Sequence, residues 1–177
     1  MEEKKGIMLK NAMTYGLYIG LALIVVHLMQ YLMDVYQPPF WVNIINYLIM
    51  IVGIVLGTIR VREQELNGFI SYGKALGHGV LIGLCASIIL GFYFGLLTGV
   101  IDTSYIEAMN QMTANTLIES GMDYDQVEMA MGITAKLQTP LIMTFSQVIG
   151  NTFFFFIFSL ITSIFIKKEE PLFGTNE

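Results

Sequence analysis

Charge is scarce in this sequence. Of its 177 residues only 13% are Asp, Glu, Lys or Arg, where a soluble domain carries roughly 25%. Cysteine is nearly missing as well. The single Cys85 excludes intramolecular disulfides and multi-cysteine metal sites, and a lone thiol in an apolar run reads as a small packing residue. The two histidines, His27 and His78, fall in different apolar segments. There is no Gly-rich phosphate loop, no H-E-x-x-H and no nucleophile elbow, so no enzyme, catalytic residue, metal set or cofactor is expected. The net charge of −5 marks no acidic surface, because the acids divide evenly between the two sides of the topology derived below. No nucleic-acid partner is expected.

Long uncharged runs are what the chain has instead. Between Lys10 and Asp34 lie 23 uncharged residues, between Asp34 and Arg60 25, between Lys74 and Asp102 27, and between Lys136 and Lys167 30. Each exceeds the ~20 residues that cross a hydrocarbon core as a helix. The expected fold is an all-α integral membrane protein, one membrane domain over 1–177, with spans at about 11–33, 40–59, 75–101 and 140–166. The first run is too long for a signal-peptide core and no A-x-A-like site follows it, so it reads as a retained anchor. Eight of the nine basic residues flank the spans on one side, which places both termini in the cytoplasm. The segment KKEEPLFGTNE is expected to be a stop-transfer end followed by a frayed tail.

Small residues recur every fourth position through the third span: Ala75, Gly79, Gly83, Ser87, Gly91, Gly95 and Gly99. In lipid such a ladder lets helix backbones approach closely. A four-residue step advances about 40° on a 3.6-residue helix, so the groove is expected to wind round and face more than one neighbour. Gly16-x-x-x-Gly20 in span one is expected to meet its Gly79–Gly83 part. Phenylalanine on every face of span four, at 153–156 and Phe158, suggests much lipid contact.

The connections are short except one. DVYQPP, with Pro38-Pro39, forces spans one and two into an antiparallel pair. Asn67-Gly68 marks a turn, after which Phe69, Ile70 and Tyr72 are expected to lie against the membrane surface. Residues 102–138 form the one sizeable extramembrane part, expected as an extracytoplasmic hairpin of two short helices between spans three and four. Ile106, Met109, Thr113 and Leu117 share a face of the first, and Gly121 stops it. Asp123-x-x-Gln126, a capping-box variant, opens the second, striped by Val127, Ala130, Met131, Thr134 and Leu137. Met109, Met112, Met122, Met129 and Met131 offer thioethers of the kind that select Cu(I). No Cys or His accompanies them there, and a contact surface is the plainer reading.

Polar side chains inside the spans cluster in depth. His27 and Gln30, Asn43 and Asn46, and Gln147 fall in the outer halves of their spans, with Asn151 near the midplane. At 1.5 Å per residue His27 and Gln147 sit roughly 10 Å below the outer boundary, where polar groups face the bundle interior. The i, i+3 pairs His27–Gln30 and Asn43–Asn46 each share a helix face. Two readings stand: an outward-opening pocket for a small polar ligand or cation, or an interhelical hydrogen-bond network worth about 0.6 kcal/mol per contact. His78, near the inner end of its span, reads as an interfacial residue reaching headgroups.

Residues 65–84, ELNGFISYGKALGHGVLIGL, with Gly68, Phe69, Ser71, Gly73 and Ala75, resemble the hallmark of a family of small bacterial four-helix membrane proteins known as domain of unknown function 4199. The Met- and Gln-containing segment before a last span ending in lysine is similar to that family too. The resemblance implies the four-span topology and a bacterial inner (cytoplasmic) membrane, and no activity. The function expected first is a non-enzymatic accessory or assembly protein. It would bind a membrane protein partner, or itself, through the ladder (Gly79, Gly83, Gly91, Gly95, Gly99) and the Met-rich hairpin. A small oligomeric carrier using the polar pocket comes second.

Overall fold

The computed structural model describes residues 2–170, and all of their named elements are helices. Four helices are long and apolar enough to cross a membrane: α1 (Glu2–Leu32), α2 (Phe40–Glu65), α3 (Tyr72–Leu96) and α6 (Pro140–Ile166). Two short helices, α4 (Tyr105–Glu119) and α5 (Tyr124–Leu137), fill the connection between α3 and α6. The tail beyond Glu170 lies outside the described residues. α1 and α2 outrun the uncharged stretches, by nine residues at the start of α1 and by six at the end of α2. Charge marks where a chain leaves lipid. It does not end a helix: RVREQE contains no breaker, and the one glycine of EEKKGIMLK, Gly6, costs only about 1 kcal/mol relative to alanine.

α3 is the central element. It packs most extensively on α6, next on α1, and also on α2. The glycine ladder faces chiefly one neighbour, with a second at a single rung, where Gly79 also meets Ile54 of α2 at 3.1 Å. Cβ atoms built at Gly79, Gly83, Gly91 and Gly95 would meet Ser159, Phe155, Val148 and Thr144 in turn, all on α6. Antiparallel α6 thus follows the inclined i, i+4 ridge of α3 instead of the helix axis. Gly83 takes the whole base of Phe155, which is fully buried, while Phe153, Phe154 and Phe156 are exposed as a lipid-facing helix requires. The last rung is looser. Gly99 meets only Pro140, at 3.4 Å, because α3 has widened there into a π-helical turn, Leu97–Ile101. Gly16 meets the expected Gly79–Gly83 stretch at its end, on Ile82, and also receives Cys85 and Ala86, while Gly20 packs farther along α3 on Ala86 and Ile89.

The basic end is tied by the link between α2 and α3. Asn67 and Gly68 both take positive φ, 55° and 83°, as a tight reversal needs. Ile70 N–H donates to the Lys168 carbonyl (2.8 Å), and Lys168 N–H donates back to Ile70 (2.9 Å). Arg62 Nη1 donates to the Ile166 carbonyl at 2.7 Å, satisfying an orphan acceptor at the end of α6. Ile70 is therefore buried against Ile166 and Ala75, and Tyr72 donates its hydroxyl to the Leu160 carbonyl. These two residues pack on protein where a lipid surface was expected. His78 is corrected likewise: it is buried, with Nε2 bonded to Asn11 Oδ1 at 3.1 Å.

At the other end Gly121 closes α4 with φ 92°. Asp123 stands at the N-cap of α5, but its side chain makes no capping bond. Asn110 and Gln138 exchange side-chain hydrogen bonds at 2.5 and 2.8 Å and hold α4 to the end of α5. Val127 is buried and Leu137 exposed. The stripe expected on α5 is thus filled at its start and free at its end.

Candidate functional site

The polar side chains read from the sequence converge between the four long helices. A cavity of about 270 Å³ is lined by His27 of α1, Asn43 and Asn46 of α2, and Gln147 and Asn151 of α6. Tyr47, Tyr93 and Phe94 contribute rings, and Leu23, Met50, Leu90 and Phe154 complete its apolar part. No Asp, Glu, Lys or Arg lines it. Gln30 is the exception among the expected six. A three-residue step turns the side chain about 60° aside and one turn farther along, and Gln30 Nε2 instead donates to the Val26 carbonyl at 3.3 Å.

Within the cavity the amides differ in state. Asn151 Nδ2 donates to both the backbone carbonyl and Oε1 of Gln147, at 2.9 and 3.1 Å, one turn away on the same helix. Asn46 Oδ1 is buried with no hydrogen-bond partner. An unpaired buried acceptor costs about 1–3 kcal/mol, so this atom is the natural anchor for a donor arriving from outside.

His27 joins the cavity to a cluster of aromatic rings. Its Nδ1 pairs with the Tyr93 hydroxyl at 3.2 Å and its Nε2 with the Tyr105 hydroxyl at 3.3 Å. Whichever nitrogen carries the proton donates, and the other accepts. Tyr105, at the first position of α4, is buried, with its ring 5.4 Å from Tyr36, 5.8 Å from Tyr31 and 6.1 Å from Phe94. Tyr31 donates to Asp102 Oδ2 at 3.0 Å, and Asp102 Oδ1 accepts from Ser104 N and Oγ at 3.0 and 2.6 Å. The Ser104 hydroxyl, with help from Tyr31, holds the Asp102 carboxyl below its ordinary range against some desolvation. Burial pushes the Tyr36 and Tyr105 hydroxyls up.

Sequence reasoning missed Tyr47, Tyr93 and Tyr105. One signal was present for Tyr93. It lies eight residues inside the end of an uncharged run, deeper than the interfacial belt, and a tyrosine there must find a hydroxyl partner. Tyr105 carried no such mark, because its partner is 78 residues away. The methionines do not assemble: Met109 packs in the aromatic cluster while Met112 and Met129 are exposed. No group of three or more His, Cys, Asp or Glu suited to a metal occurs among the described residues.

Comparison with known proteins adds the family. The family model described as "Protein of unknown function (DUF4199)" matches residues 14–168, and the chain belongs to that family. No curated protein and no solved structure matches the chain.

Proposed function

We propose that this member of the family is a non-enzymatic membrane protein that binds a small, uncharged, polar molecule in the cavity between its long helices. The carrying observation is the convergence of His27, Asn43, Asn46, Gln147 and Asn151 from three helices on one space, with the Asn46 acceptor unpaired. At about 270 Å³ the space falls just below the 300–1,000 Å³ of drug-sized sites, so the ligand is small. A lining of amides and rings without a carboxylate favours a neutral molecule over a hard cation, which draws anionic oxygens. The distribution of basic residues puts the termini in the cytoplasm. The cavity and the α4–α5 hairpin then lie toward the extracytoplasmic side, and the family resemblance favours a bacterial inner membrane.

Partner binding loses its helix-packing half on this reading, because α6 of the same chain fills the ladder. The exposed Met112 and Met129 are what remains for it. Native mass spectrometry of protein released from a mild membrane mimic tests the proposal. A retained small molecule is expected in the wild type and absent in Asn46→Leu and Gln147→Leu, with helical content unchanged. Identical spectra for all three proteins, or a recurrent foreign protein in place of a small molecule, overturn it.

A further inference from the structure

At the opposite, basic end, Lys10 and Thr14 form an outward ridge of α1 that divides two clefts. Between α1 and α2 lies a polar cleft of about 320 Å³ bordered by Lys10, Arg60, Asn11, Gln64 and Glu65. Between α1 and α3 lies a groove of about 660 Å³, walled mainly by Met13, Leu17, Cys85 and Ile88 and bordered again by Lys10 and Thr14. Neither Lys10 nor Arg60 forms an ion pair among the described residues, where Arg62 does with Glu63 at 2.7 Å. The two free cations share a depth. Tyr15 packs on Gly57, and from that contact Lys10 and Arg60 lie about 7 and 4 Å toward the basic end. The apolar groove extends from Lys10 into the span, since Leu17 and Ile88 lie deeper.

We propose that this end binds one anionic glycerophospholipid, its phosphodiester between Lys10 and Arg60 and one acyl chain in the α1–α3 groove. Two cations at the boundary of an uncharged run, beside an apolar trough opening to lipid, complement one phosphate and one chain. Glu65 at the rim lowers the net charge of the cleft to +1, which suits a singly charged headgroup over a multiply phosphorylated one. The site is independent of the polar cavity.

The test is native mass spectrometry of the full chain in detergent with added phosphatidylglycerol, and with phosphatidylcholine as the comparison. One phosphatidylglycerol per chain is expected to survive activation, and phosphatidylcholine to be lost. Near an anionic surface each basic residue contributes about a factor of five, so Lys10→Ala with Arg60→Ala should cut occupancy by at least fivefold. Lys167→Ala with Lys168→Ala, which removes the same charge at the same end, should leave it intact. Ile88→Trp should lower occupancy without altering charge, by filling the groove. Equal loss in both double variants, full retention in the first, indifference to Ile88→Trp, or equal retention of phosphatidylcholine each overturns the proposal. Matching helical content and melting across the variants excludes misfolding as the cause of a loss.

Discussion

Asp102 decides at the level of single residues how α4 meets the bundle. It accepts from Tyr31 on α1 and from Ser104 just before α4, and Tyr105 then enters the ring cluster beside His27. A carboxyl held below its ordinary value near 3.8 favours the docked state above that pH and loses the advantage as pH falls through the lowered value. Near-UV circular dichroism from the tyrosine cluster should therefore lose a component as pH falls below about 4. In Asp102→Asn the acid-dependent decline should vanish. An equal decline below about pH 4 in Asp102→Asn would assign the docking to another group. The raised Tyr36 and Tyr105 hydroxyls act with the opposite sign, keeping their contribution below about pH 10 and losing it above their raised values.

Two elements carry the packing, the α3–α6 seam and the link that ties its basic end. A Cβ at Gly83 overlaps Phe155 Cβ and Cγ, atoms too close to the backbone to swing away. Gly83→Ala should thus destabilise by about 1–3 kcal/mol. Gly99→Ala, facing Pro140 across ordinary contact, should melt within a degree or two of wild type, a near-neutral change. Thermal unfolding in detergent compares the pair, and equal midpoints would refute the assigned register. Ile70→Pro removes the donor to the Lys168 carbonyl, a bond worth about 1 kcal/mol. The expected outcome is severalfold faster trypsin cleavage at Lys167 and Lys168, with α6 otherwise intact.

For the whole molecule the polar cavity and the lipid cleft lie at opposite ends of one bundle, so orientation decides which faces the cytoplasm. In a Cys85→Ser background, Ser120→Cys on the α4–α5 side should react with an impermeant maleimide in intact cells. Gln64→Cys should react only after permeabilisation. The reverse pattern would turn the molecule over and move the cavity to the cytoplasmic half.

The sequence by itself determined the four spans, because hydrocarbon leaves so few alternatives for an uncharged run of more than 20 residues. It also determined most of the cavity. Amides and a histidine held deep in apolar helices must turn inward, so His27, Asn43, Asn46, Gln147 and Asn151 were legible before any packing was known. Gln30 was not, since sharing a helix face within 60° does not fix which side of a neighbour a side chain reaches. Tertiary structure alone decided the rest. Small residues permit close approach without naming the helix that approaches, so only packing showed α6 against Gly79, Gly83, Gly91 and Gly95, with Phe155 seated on Gly83. The His27–Tyr105 contact and the Ile70–Lys168 pair join residues 78 and 98 positions apart, and no local pattern encodes a partner at that distance.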